Sequence, residues 1–215
     1  ILRLEIGIVL ALVLISQEYL GGEPTYALNA LYILLIGMGV AILLNFYAPK
    51  PQKLIDTNEL KIDKQMSDIF RKLSHDEAVD FSPLKGAIEQ AKKDLVLAKE
   101  NRAMAAVEKR MSYIGMRENQ TLLLERVALI LSSLQGSVYK DKLLGFLGEF
   151  INNIGKIDYA TGLLSKLDKL HKDYEKLNLP QTRKEFEQRA ELFHVLSEMR
   201  AFLEAKIAYH HHYDQ

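Results

Sequence analysis

Twenty consecutive residues without a charge, Leu28 to Tyr47, constrain this chain more than any other feature. As a helix rising ~1.5 Å per residue they span the ~30 Å hydrocarbon layer of a bilayer. The two side-chain amides, Asn29 and Asn45, stand near the ends of the run. Gly37 and Gly39 inside it are tolerated where lipid offers the backbone no competing hydrogen bonds. Helices apolar on every side are rare outside membranes, so the run predicts a transmembrane helix. Pro49 and Pro51 stop it at the interface, with Tyr47 as an aromatic anchor. A weaker candidate covers Leu4 to Leu20, and Gly21-Gly22-Glu23-Pro24 supplies a turn between the two. Residues 1–51 therefore read as a transmembrane hairpin with helices near 4–20 and 28–47. The Gln17–Thr25 connection has no Lys or Arg, whereas Lys50, Lys53, Lys61, Lys64, Arg71 and Lys72 follow the second helix. That asymmetry, with Arg3 before the first helix, places both ends in the cytoplasm and the short loop outside.

A mean hydropathy of -0.05 hides this segment because it averages two unlike parts. Of the first 48 residues, 33 are apolar and four are charged: Arg3, Glu5, Glu18 and Glu23. The other 167 carry 27 of the 28 basic and 25 of the 28 acidic groups. The zero net charge argues against a nucleic-acid partner, which needs a basic face. Absence of cysteine removes disulfides, thiolate metal sites and cysteine catalysis. The chain opens at Ile1 rather than Met, so it reads as a piece of a longer protein.

Residues 52–215 read as helix throughout, giving an all-α fold with a cytosolic bundle of four or more helices. Leu54, Ile62, Met66, Ile69 and Leu73 mark a first helix from Lys53 to about His75. Ser82-Pro83 restarts a helix, with Ser as N-cap, that runs to about Asn101. A long apolar helix holds Met104 to Leu134, and a shorter one runs from Lys140 to about Ile154. Leu163, Leu167, Leu170, Tyr174 and Leu177 form one seam. After Leu179-Pro180, Thr182 and Glu185 make a capping box that opens the last helix. Phe186, Ala190, Phe193, Leu196, Met199, Leu203 and Ile207 are expected to line its buried face.

Chemistry is hard to find in this pattern. No phosphate loop, GxSxG or HExxH occurs. His75, His171 and His194 are scattered, and His210-His211-His212 reads as an exposed tail. No catalytic, cofactor-binding or metal-binding residue is expected, and the chain does not read as an enzyme.

The stretch NALYILLIGMGVAILLNFYAPK, ending in Asn45 and followed by Pro49, resembles the last membrane helix of the bacterial aromatic acid exporter family. The charged part resembles the cytoplasmic C-terminal domain of those proteins. The matching pieces are MRENQ (Met116, Arg117, Gln120), TGLLSKLDKLHKDYEKLNLP and TRKEFEQRAELFHVLSEMRAFLEAK. In the last, Thr182, Arg183, Glu185, Phe186, Glu187, Arg189 and Ala190 fall on the family pattern. The resemblance implies further transmembrane helices upstream, a place in the bacterial cell membrane, and export of aromatic carboxylates or similar organic anions. On that reading the bundle is a regulatory or assembly domain. The alternative is a membrane-anchored interaction module with no transport role. Arg117, Gln120, Arg183 and Arg189 are expected to bond carbonyls or carboxylates between helices. Leu122, Leu123, Leu124 and Val127 cover more of their helix than one seam requires, which makes them candidates for a homo-oligomer contact.

Overall fold

The computed structural model describes residues 24–47, 51–99, 104–134, 140–155 and 159–213. The expected membrane helix at Leu4–Leu20, and Pro49, lie outside the described residues. Among those described the fold is all-α, with seven helices and no strand. They are α1 (Pro24–Tyr47), α2 (Pro51–Ser74), α3 (Ser82–Lys99), α4 (Met104–Ser133), α5 (Lys140–Gly148), α6 (Tyr159–Glu175) and α7 (Arg183–Tyr213). The chain divides into two compact units, Ile1–Lys50 and Pro51–Gln215.

The first unit contributes α1, whose 24 residues hold no charge. Ile33, Ile36 and Leu43 are exposed on it, Ile33 by 72%. Among the described residues no helix counts as long and apolar enough to cross a membrane.

In the second unit α4 packs between α3 and α7, α2 packs against α3 and α5, and α6 lies along α7. Cross-helix polar pairs fix the directions. Asn58 donates to Asp94 at 2.7 Å, so α2 and α3 are antiparallel. Lys92–Glu118 and Lys85–Glu125, each 2.5 Å, make α3 and α4 antiparallel. Arg126–Glu198 at 3.2 Å and Lys109 to the Tyr213 carbonyl at 3.3 Å do the same for α4 and α7. α2 and α4 consequently run parallel. The core is one cluster of the apolar stripes: Ile62, Met66 and Phe70 from α2, Leu84 and Leu95 from α3, Leu124 and Val127 from α4, and Val195, Met199 and Phe202 from α7.

The segment from Lys140 to Gly155 closes the gap between α2 and α7. Phe150 stacks on Phe70 with ring centroids 4.3 Å apart, and Phe202 meets both edge-on at 5.4 and 5.7 Å. The expected helix to Ile154 stops at Gly148. Beyond it the amides of Glu149, Phe150, Ile151 and Asn153 each bond a carbonyl three residues back, a tight turn rather than a continuing α-helix.

Three expectations are corrected. Phe186 is 63% exposed, and Ala190 is exposed too. The cause is length: Ser133, the last residue of α4, bonds Glu191, so the first two turns of α7 project past the end of α4, and among the described helices α6 is the one that lies along α7 there. Of the four residues Leu122–Leu124 and Val127, Leu122 alone is exposed; the others lie in the core. Ser82 is not the cap of α3. Phe81 supplies the carbonyl for the first turn, and the Asp80 carboxylate accepts the Ser82 amide at 2.9 Å. That hydrogen bond, from the Ser82 backbone, holds the Asp80 carboxyl below its usual range.

The end of α2 is specified with unusual care. The Glu77 amide bonds the Lys72 carbonyl at 2.9 Å and the Asp76 amide bonds that of Leu73 at 3.1 Å, the two bonds of a Schellman motif. Asp76 takes its left-handed position, φ 59°, where glycine is usual. Its carboxylate lies 2.5 Å from the buried Lys140 ammonium in an ion pair. An aspartate accepts the αL conformation and neutralises that cation at once. In urea unfolding of the Pro51–Gln215 unit, Asp76→Ala should cost about 2–3 kcal/mol, and Asp76→Gly about 1 kcal/mol less because glycine relieves αL strain. Equal losses would remove the conformational half of this account; no loss with glycine would remove the ionic half.

Candidate functional site

α2 and α4 are diagonal neighbours whose backbones seldom approach each other. Long polar side chains bridge the space, in matching parallel order. Asp56 and Glu59 of α2 hold Arg110 of α4 at 2.6 and 2.9 Å. Two turns on, Asp63 holds Arg117 at 2.6 Å. Burial pushes the Glu59 carboxyl up; Arg110 opposes that, while Asp56 and Asp63 add to it.

Arg117 is the centre of the arrangement, with 1% of its surface exposed. A buried guanidinium must spend its five N–H donors inside the protein. Nη2 reaches Asp63 and the Ile154 carbonyl at 3.0 Å, Nη1 donates to Gln120 Oε1 at 2.8 Å, and Nε donates to the Tyr113 hydroxyl at 3.1 Å. Nη1 also lies 3.5 Å from Met66 Sδ. The Tyr113 hydroxyl donates a hydrogen bond to Asp63 at 2.6 Å, and its ring centroid lies 5.1 Å from the guanidinium carbon. Burial, more than the nearby charges, raises the Tyr113 hydroxyl far above its ordinary range. Gln120 carries the chain onward, donating to the Phe202 carbonyl of α7 at 2.8 Å.

Lys206 arrives from α7. It is 4% exposed and donates to the same Ile154 carbonyl at 2.8 Å. Two cations thus converge on one carbonyl, in the turn that follows α5. Desolvation, aided by Arg117 and opposed by Asp63, lowers the Lys206 ammonium to about 8. Gly155 permits the closeness, since a Cβ there would stand 3.1 Å from Asp63 Oδ2. The outer side of the junction opens into a groove of about 600 Å³ whose lining includes Asp63, Tyr113 and Tyr209.

The family-motif positions are thus divided. Arg117 and Gln120 meet in the junction. Arg189 works elsewhere, donating to the carbonyls of Tyr174 at 2.9 Å, Leu177 at 3.3 Å and Asn178 at 2.8 Å, and so closing the C-terminus of α6. Thr182 accepts the Glu185 amide at 3.1 Å, and Glu185 accepts the Gln181 amide at 2.7 Å, one residue before the cap itself. Arg183 is exposed and pairs only along its own helix, with Glu187 at 2.8 Å. Phe186 faces outward, Asn45 lies in α1 with its side chain outside the described residues, and Pro49 is likewise outside them. Sequence reasoning missed Asp63, Tyr113, Gly155 and Lys206. Two of them left a signal: Asp63 stands three residues before Met66 and Lys206 three after Leu203, polar residues on otherwise apolar stripes. Among the described residues no group of three His, Asp or Glu could hold a metal. The junction is a positioning device, with its donors engaged in tying α2, α4, α7 and the Gly148–Gly155 turn together.

The depressed Lys206 value sets a pH dependence. Its folded-state value of about 8 lies below the 10.5 of an unperturbed lysine. Between them the unfolded chain binds more protons, so stability should rise with pH from about 8 and be flat below it for this group. Tyr113 and Tyr174, both raised, act in the opposite sense only above pH 10. Unfolding of the Pro51–Gln215 unit measured from pH 7 to 9.5 should show a gain of about 1–2 kcal/mol that Lys206→Met abolishes. The same rise in both proteins would show that Lys206 titrates normally.

Residues 49–207, which include the whole junction, match the family model described as "Putative aromatic acid exporter C-terminal domain". The "Uncharacterized protein YqjA" of Bacillus subtilis (strain 168) is 29% identical over 220 residues, covering 96% of this chain and 67% of that protein. A solved structure, "Crystal structure of putative membrane protein from Clostridium difficile 630", superposes with a TM-score of 0.62 at 19% identity, over 75% of this chain and 99% of that one. At that identity the likeness concerns the fold. With its family model covering most of its length, the chain belongs to the aromatic acid exporter C-terminal domain family.

Proposed function

We propose that this chain is the C-terminal part of a bacterial membrane exporter of aromatic carboxylates or similar organic anions, with the bundle as its cytoplasmic regulatory or assembly domain. The observation that carries the reading is the joining of two features in one chain. The domain belongs to an exporter-associated family, and it follows within four residues of an uncharged 24-residue helix. Isoleucines and leucines left exposed on α1 have an obvious solvent in lipid. In this reading α1 is the last of several spans, the helix before it completes a hairpin, and the helices that handle substrate lie upstream. In this reading the bundle has no enzymatic part, since Asp56, Glu59, Asp63 and Arg110, which line the groove beside the junction, are held in ion pairs that tie α2 to α4.

Orientation and activity are tested together in cells carrying the complete gene. With no native cysteine, Gly22→Cys should react with an impermeant thiol reagent applied outside, and Asp56→Cys only after the membrane is opened. The same cells, loaded with a labelled hydroxybenzoate, should lose it several-fold faster than cells lacking the gene. Reversed labelling would overturn the orientation. Correct labelling with unchanged efflux of a panel of aromatic acids would overturn export and favour a membrane-anchored interaction module.

A further inference from the structure

Packing against α3 on one side and α7 on the other leaves one stripe of α4 uncovered. At ~100° per residue, Glu108, Gly115, Asn119, Leu122, Arg126 and Leu129 share that stripe, and all are exposed. Its C-terminal half is a ridge: Leu122 is 48% and Leu129 73% exposed. Its N-terminal half is a depression. Gly115 has no side chain, and with Ala205 and Ala208 it lines an open groove of about 440 Å³ between α4 and α7 that is also lined by Tyr209, His212 and Tyr213. A Cβ on Gly115 would meet nothing within 4 Å. The folded single chain therefore does not require glycine there, although glycine weakens a helix interior relative to alanine.

We propose that a second copy of this chain covers this face, the two α4 helices crossing antiparallel about a two-fold axis near Glu118 and Asn119. Leu122 and Gly115 stand equally far on either side of that axis. The operation therefore places Leu122 of each copy in the groove beside Gly115 of the other, a self-complementary contact of the kind a two-fold dimer needs. Small residues at the crossing let two helices approach at the short end of the usual 8–10 Å separation. The same operation brings Arg126, which pairs with Glu198 of its own chain, within about a turn of Glu108 of the other copy, so charge as well as shape is matched. The pairing goes beyond the export reading and stands or falls independently of it.

The absence of native cysteine makes the test direct. In membranes containing the full chain, Asn119→Cys places one thiol per copy beside the axis. A short bismaleimide should join the copies into a covalent dimer, while Lys93→Cys, exposed on α3, should leave them single. Adding either Leu122→Glu or Gly115→Gln to Asn119→Cys should reduce the dimer at least tenfold. Gly115→Gln has open space and a better helix former, so it keeps the monomer folded, which circular dichroism checks. A monomeric Asn119→Cys protein, equal coupling of Lys93→Cys, or an undiminished dimer with either second substitution would overturn the proposal.

Discussion

A guanidinium removed from water must find protein acceptors for its donors, and the bundle is organised around meeting that demand for Arg117. Its partners come from four places: Asp63 and Met66 on α2, Tyr113 and Gln120 on its own helix, the Ile154 carbonyl in the turn after α5, and, through Gln120, the Phe202 carbonyl on α7. Losing any one leaves a buried charge short of a partner, a larger penalty than losing an exposed pair. Sliding α2 by a turn would separate Asp63 from Arg117, so the network sets register as well as proximity. Apolar packing alone tolerates many small shifts; a fork of directed bonds tolerates few.

The aromatic cluster does complementary work. Phe70, Phe150 and Phe202 fill the space between α2, the turn and α7 with interlocking rings, and the charged junction lies one or two turns away along the same helices. The turn from Gly148 to Gly155 serves both, giving Phe150 to the rings and the Ile154 carbonyl to Arg117 and Lys206. Farther along, α6 and the projecting start of α7 form a hairpin held by Arg189 on four carbonyls, those of Tyr174, Glu175, Leu177 and Asn178. There the family pattern surrounds a connection more than a cavity.

Much of this architecture was legible in the residues. The apolar spacings of α2, α6 and α7 gave the helices, and the boundaries at Ser82, Lys140 and Thr182 fell within a residue or two. Arg117 and Gln120 could be singled out by resemblance, but their partners could not, because Asp63, Tyr113 and Lys206 lie 50 to 143 positions apart from one another and nothing local ties them together. Phe186 misled because its spacing continues the buried stripe of α7. Whether a stripe is covered depends on how far the neighbouring helix reaches, and α4 stops too soon. Ser82 is not the cap because the helix starts one residue earlier, on the Phe81 carbonyl, with the Asp80 carboxylate accepting the Ser82 amide. Gly155 left no signal, since its role is set by an approach from another helix.

The central claim is that Asp63 and Arg117 act as one unit in holding α2 against α4. A double-mutant cycle measures this most directly, with urea unfolding of the Pro51–Gln215 unit carrying Asp63→Asn, Arg117→Met and both. Each single change should destabilise by about 3 kcal/mol or more, and the pair by much less than their sum, a coupling of about 2 kcal/mol or more. Additive losses, with coupling below about 0.5 kcal/mol, would contradict the account and leave the apolar stripes to set the register alone.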